Sequence, residues 1–415
     1  MNALPKLQNP VSSKIPQLAP RLAPAHRIAS DAEALAIAHD LAEVFAPGAA
    51  DRDQNRRLPF AEIERYSQSG LWAISVPKDF GGADVTTVTI AEVTAIIASA
   101  DGSIGQIPQN HFYMVEALRL DASEAQKRFY FEHVLNGDRI GNALSEIGGK
   151  FAAEYKTNVF AEGDGFVLNG RKYYSTGVLF AHWIAAVANN AEGKRTIVIV
   201  PRDAPGVTLI DDWRGLGQRT TASGSTIFDS VHVAPFALVD HSKAFERPTA
   251  MGSFAQIIHA AVDLGIARAA YRDTLAFVRQ KARAFIDSGV EQAHEDPYTI
   301  AAIGDLRVRL TAAEALVERA ADFVDRARAA PDESYCDEAS IAVAEARVAT
   351  TEVSLSAGTK LFELSGTRST AVEFDLDRHW RDARTHTLHD PVRWKYHAIG
   401  NFWLNGAMPP RRGTI

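Results

Sequence analysis

Cysteine is nearly missing: Cys336 is the only one in 415 residues. An intramolecular disulfide is thereby excluded, and so is a zinc site built on thiolates. Such usage fits a reducing interior. Also missing is any apolar run of about 18 residues, the length a membrane-spanning helix needs. The first 29 residues carry five prolines (Pro5, Pro10, Pro16, Pro20 and Pro24) and no apolar stretch of signal-peptide length. They read as an extended or mobile arm that could lie on a neighbouring subunit. A cytoplasmic protein is expected. Charge of one sign is not in excess: 44 Lys and Arg against 51 Asp and Glu give a net charge of -7. Nothing there draws the chain to nucleic acid or to an anionic membrane. The dinucleotide fingerprint is absent as well. GLGQRT (Gly215 to Thr220) has a GxG core but sits among β-type runs with no helix after it. GFVLNGRK (Gly165 to Lys172) imitates phosphate-loop spacing and lacks the Lys-Ser/Thr end.

What is present divides into three zones behind the arm of residues 1–29. Residues 30–138 read as helices. Ser30 caps the first, Pro59 suits the first turn of FAEIERYSQSG, and further helices are expected over Thr87 to Ala100 and Gly105 to Leu120. Ser123 and Gln126 form a capping-box pattern opening another. Residues 139–248 read as β structure. Asn169-Gly170 looks like a hairpin turn, TIVIVP like a buried strand, and STIFDSVHVAP alternates. Residues 249–415 return to long alanine-rich helices, from Phe254 to about Ile286, from Pro297 to about Ala330, and from Tyr335 to Leu364. These suit a four-helix bundle. A last helix is expected from Pro391, N-capped by Asp390 and stopped at Asn405-Gly406.

Few residues offer chemistry by pattern alone. RTHTLHDPVRWKYH places His386 and His389 three apart, just before Asp390-Pro391. A His-x-x-His pair can hold a metal, but no further ligand run accompanies it, and no metal is expected. At the mouth of a helix N-terminus, imidazoles can instead steady or protonate a developing negative charge. His111 in QNHFYMVEA and Ser175 in KYYSTG read first as a core histidine and a strand end.

Taken in order, the blocks NALSEIGG (Asn142 to Gly149), NGRKYYSTG (Asn169 to Gly177), RGLGQRTTASGSTIFDSVHVAP and WRDARTHTLHDP (Trp380 to Pro391) resemble the acyl-CoA dehydrogenase superfamily. The resemblance covers nearly the whole chain after residue 30. It implies a mainly α fold with a central β domain: an N-terminal helical domain, a β-barrel-like middle domain and a C-terminal four-helix bundle around a flavin.

The departures redirect the function. Where many dehydrogenases carry a glutamate that removes the substrate α-proton, this chain has His389-Asp390-Pro391-Val392. The adenine-contact segment is altered to FELSGTRST, which favours FMN while leaving FAD open. THTLHDPVRWK is similar to the branch containing dibenzothiophene monooxygenase and the sulfone-linked sulfur-acquisition oxidoreductases. That branch implies a two-component monooxygenase. Reduced FMN arrives from a separate NAD(P)H-flavin reductase, O2 forms a C4a-hydroperoxyflavin, and one oxygen atom passes to a small organosulfur compound.

By the same resemblance His111, Ser175, His386 and His389 line the flavin and oxygen site. Ser175 and His389 would steady the flavin N5 and the peroxide, and His111 or His386 would supply a proton. Ser145, Ser175, Trp213, Arg283 and Arg368 would hold the flavin, Arg283 by reaching into an adjacent subunit of a homotetramer or dimer. Two other readings remain at this point: an FAD-dependent acyl-CoA dehydrogenase with an unusual base, and a non-catalytic flavin-fold scaffold. The substrate itself is not legible.

Overall fold

A computed structural model describes residues 17–18, 23–149 and 154–414. Most of the proline-rich arm therefore lies outside the described residues. Its last residues are held by the fold: Ala25 and Ile28 are buried, and the His26 N–H donates to the Gln68 carbonyl at 2.9 Å.

The first domain is built of short helices: α1 (Asp31–Phe45), α2 (Ala49–Asn55), α3 (Phe60–Gln68), α4 (Thr87–Ala100), α5 (Gly102–Gln106), α6 (Gln109–Asp121) and α7 (Glu124–Leu135). Ser30 caps α1 through the Glu33 N–H, and Ser123 with Gln126 closes both halves of a capping box on α7. Pro59 precedes α3 instead of opening it. The single helix expected over Gly105 to Leu120 is two. Pro108 has no N–H to give, and the side chain of Asp101 starts α5 by accepting from the Ser103 and Ile104 N–H groups.

The middle domain carries β1 (Ile140–Ala143), β2 (Asn158–Glu162), β3 (Gly165–Lys172), β4 (Trp183–Asn189), β5 (Arg195–Pro201), β6 (Val207–Ile210), β7 (Ser225–Val233) and β8 (Leu238–Asp240). Among the described residues they form one sheet in the order β6-β7-β3-β2-β4-β5-β8, with β1 parallel to β4. TIVIV is buried throughout, as its composition suggests.

Asn169-Gly170 is not a hairpin turn. It lies inside β3, where the register against β7 slips between Leu168 and Gly170. The Asn169 side chain accepts from the Ser230 N–H at 2.8 Å, and a Cβ on Gly170 would meet Thr157 Oγ1 at 2.2 Å. The β2–β3 hairpin turns at Gly163-Asp164, where Gly163 has φ +61°. A bulge and a tight turn demand the same residue types, so the dipeptide misleads.

The last domain is dominated by α8 (Met251–Gln280), α9 (Pro297–Ala329) and α10 (Glu333–Ser365). Alanines on all three (Ala260, Ala320, Ala342) are buried in the main core and let the helices approach closely. Helix α8 stops at Gln280, short of the expected Ile286. The chain then returns along the bundle in α11 (Asp377–His386) and α12 (Arg393–Asn405), the latter ended by left-handed Gly406.

Asp390 does not cap α12. The cap position falls at Val392, and the Asp390 carboxylate turns inward to basic side chains. Buried guanidinium and ammonium groups attract it more strongly than the exposed end of a helix.

Candidate active site

Three segments converge where the β domain meets the bundle. The first is the pair of edges formed by Ser145 and residues 173–176. Tyr173 N–H donates to the Ser145 carbonyl at 2.9 Å, and Asn142 N–H donates to the Thr176 carbonyl at 3.2 Å. Ser175 ends this turn buried, and its hydroxyl is among the buried polar atoms without a hydrogen-bond partner. Native folds rarely leave such an atom unmet unless something else is to meet it. An oxygen- and nitrogen-rich ring such as a flavin suits that hydroxyl.

The second segment is the loop 211–224. Trp213 lies edge-on to Tyr174 with ring centroids 6.1 Å apart, and its indole N–H donates to the Gln218 carbonyl at 2.9 Å. At its far side the loop is pinned to α11. Gly217 N–H donates to Thr385 Oγ1 at 2.9 Å, and Gln218 N–H donates to the Asp382 carboxylate. Ser175 N–H donates to the Gly224 carbonyl at 3.0 Å, so the loop joins the Ser175 turn to α11, the helix that ends in His386.

The third segment is the end of α11 with the turn after it, packed on α8 and α10. His386 Nδ1 meets Asp263 Oδ1 at 2.6 Å, and Arg347 donates to the other oxygen of Asp263 at 2.6 Å. On its other side His386 Nε2 meets His259 Nδ1 at 2.9 Å. His389 lies against His259 with centroids 4.1 Å apart, and its Nδ1 meets Asp390 Oδ1 at 2.9 Å. Lys395 holds the second Asp390 oxygen at 2.6 Å.

Two anions and two cations balance here, so the imidazoles need carry no charge. Burial pushes His386 below its ordinary range despite Asp263, and burial with two neighbouring histidines pushes His259 well below. For Asp390, burial alone would raise the pKa. Bonding to His389 with the charges of Arg347 and Lys395 reverses this and holds the carboxyl far below the usual carboxylate range.

The other candidates fall elsewhere. His111 is buried in α6, where its Nε2 donates to the Trp72 carbonyl at 2.7 Å and its Nδ1 accepts from the Ile140 N–H at 3.0 Å. Burial lowers its pKa to about 4, so the ring is neutral and both nitrogens are engaged by backbone. The structure gives His111 to the joint between α6 and β1. Arg283 and Arg368 are exposed beyond the C-terminal ends of α8 and α10, roughly 30 Å along the helices from His259. They do not join the cluster within one chain.

Sequence reasoning missed His259, Asp263 and Arg347. A signal existed: His259 and Asp263 stand four apart in the apolar run IIHAAVDLGIA, which puts two polar side chains on one buried helix face. Arg347 announces itself by nothing but burial.

Three family models match in chain order: acyl-CoA dehydrogenase N-terminal domain over residues 35–138, middle domain over 142–231 and C-terminal domain over 257–394. This chain belongs to the acyl-CoA dehydrogenase family. Within the family it falls with flavin-dependent monooxygenases. It is 33% identical to a dibenzothiophene monooxygenase of Rhodococcus erythropolis, over 92% of this chain and 96% of that one. It is 32% identical to a probable FMNH2-dependent monooxygenase, SfnC, of Pseudomonas putida, over 91% and 96% of the two chains. The FMN-bound TdsC from Paenibacillus sp. A11-2 superposes with a TM-score of 0.88 at 31% identity, over 92% of this chain and all of that one. The methanesulfinate monooxygenase MsuC from Pseudomonas fluorescens gives 0.85 at 32%, over 92% and 99%. FMN is named for two of them, SfnC and TdsC, and the partnerless Ser175 hydroxyl fits that flavin.

Proposed function

We propose that this protein is a two-component monooxygenase that takes reduced FMN from a separate NAD(P)H-flavin reductase and uses O2 to oxygenate a small organosulfur compound. The observation that carries the reading is the state of Asp390. A base that removes a proton from carbon needs free lone pairs and a pKa near the working pH. Asp390 is held by Lys395 and His389, and its pKa is driven the opposite way. Asp263 is engaged likewise by Arg347 and His386. What this region offers is imidazole and hydroxyl, the groups suited to steadying and protonating oxygen.

Bound reduced flavin would supply the two electrons that turn O2 into an oxygen-atom donor. Ser145, Ser175 and Trp213 are the residues that would hold it, Ser175 through its partnerless hydroxyl. His389 would offer its Nε2 to the reacting oxygen, and His386, whose two nitrogens are taken by Asp263 and His259, would back it and help to keep water out. Arg283 and Arg368 would serve a flavin held by a neighbouring copy, which favours a homotetramer or a dimer as the working form. Among the described residues no helix is long and apolar enough to cross a membrane, and a cytoplasmic location is proposed with the function.

The test supplies chemically reduced FMN and O2 with a panel of sulfides, sulfones and sulfinates, dibenzothiophene and methanesulfinate included. Oxygenated product in amounts matching the O2 consumed is expected, and none with any substrate would count against the proposal. In His389→Phe, O2 uptake should continue while product per O2 falls about tenfold and hydrogen peroxide accumulates. Anaerobic bleaching of the bound flavin by an acyl-CoA would instead establish a dehydrogenase.

A further inference from the structure

The polar cluster at the end of α11 contains one histidine with no role so far. His259 is buried in the middle of α8 and meets two other histidines at once. Its chemistry follows from its neighbours. Asp263, paired with Arg347, can only accept, so the neutral His386 carries its hydrogen on Nδ1 and presents a lone pair at Nε2. The His259 Nδ1 that meets this lone pair at 2.9 Å must then carry hydrogen, which leaves the His259 Nε2 bare. His389, by the same logic, donates from Nδ1 to Asp390 and keeps its own Nε2 bare.

The charge environment restricts what this chain of rings can hold. Facing it are Asp263 from α8, Arg347 from α10, Asp390 from the turn after α11, and Lys395 from α12. Their charges cancel. A first proton taken up by the three imidazoles meets no excess charge, whereas a second would set two cations in neighbouring rings against each other. His389 is 43% exposed at its side chain, while His386 is almost fully enclosed. One end of the trio therefore meets solvent and the other does not.

We propose that His259 is a positioning residue for the oxygenation reaction, passing a proton between its Nδ1 and His386 Nε2 while its contact with His389 limits the three rings to one proton. This rests on the functional reading above. The proton balance of that reaction gives the trio its use. One atom of O2 goes to the substrate, and the other leaves as water with the two electrons and two protons that entered with reduced flavin. A proton must reach the departing oxygen at the right moment, and a shared, singly occupied store can hold and release it without an ion left stranded in the core. When the proton sits on His386 the ring is an imidazolium against Asp263. When it leaves, the His259–His386 bond reverts to its starting tautomers.

The experiment has two independent arms. In flavin-free wild-type protein carrying 13Cε1-labelled histidine, the resonances of His259 and His386 should shift together in one step as pH is lowered. In His259→Asn, whose amide NH2 can replace the Nδ1–H donor but cannot take and pass on a proton, the His386 resonance should move to a different midpoint. Product per O2 should then fall about tenfold, with O2 uptake retained. The pH at which coupling is half lost should move by about one unit. Separate steps already in the wild type would overturn the shared proton whatever the variant does, folded or not. An unchanged product yield in His259→Asn would overturn its part in the reaction. A wild type that makes no product from reduced FMN and O2 would sink the monooxygenase reading, and the titration would still decide the sharing of the proton.

Discussion

At the scale of single residues, the cluster shows how little a side chain's type says about its task until its partners are known. His111 and His386 are both buried histidines on helices. Both nitrogens of His111 end on backbone groups of the fold, whereas His386 links a carboxylate to a second imidazole. The difference is testable. His111→Phe keeps a planar ring, slightly larger, but leaves the Trp72 carbonyl and the Ile140 N–H buried without partners, at a cost of about 3 kcal/mol. Chemical denaturation should show that loss while product per O2 stays at the wild-type level for the protein that remains folded. A drop in coupling with stability unchanged would return His111 to the chemistry. The segment THTLHDP was legible as a place of function because histidines, an acid and a proline crowd into it. Asp390 was misread because a capping pattern shows only the helix end, whereas the buried Lys395 inside that same helix and Arg347 from α10 won the carboxylate.

At the scale of elements, the loop 211–224 decides whether the β domain and the bundle form one site. Gly217 packs directly on α11: a Cβ there would stand 2.0 Å from the Arg381 carbonyl oxygen and 2.5 Å from the Asp382 nitrogen. Backbone on both sides leaves nothing flexible to yield. Gly217→Ala should push the loop away, break its bonds to Asp382 and Thr385, and displace Trp213. The expected result is FMN binding weakened at least about tenfold with a stability loss of about 1–3 kcal/mol. Fluorescence titration with FMN beside a thermal melt would check both, and undiminished affinity would refute the loop's role. Helices read well from the sequence because their caps and periodicity are local. The task of Gly217 in GLGQ did not, because that glycine serves a contact with a helix some 160 residues later, and spacing carries no trace of that partner.

At the scale of the whole molecule, the three domains meet around buried acids as well as histidines. Asp382 on α11 faces Asp53 from α2 and Asp101 before α5. Burial first, then these like charges, raises its pKa to about 8. A carboxyl raised in the folded state binds a proton that the unfolded chain has already lost. Its contribution to stability therefore falls as pH rises from about 4, the unfolded value, to about 8. Asp382→Asn removes that dependence, so the variant's melting temperature should gain on the wild type steadily over this window; a constant gap would refute the shift.

The chain's own order of residues determined the three-zone architecture, the family blocks and the histidine-bearing turn, because caps, alternation and contiguous motifs act over a few positions. Only the tertiary structure decided that His259, Asp263 and Arg347 complete that turn, that His111 is used up by backbone, and that the two arginines stand at the bundle's far end. Those facts depend on which helix faces meet, and burial beside a partner leaves no mark on the residues nearby in sequence.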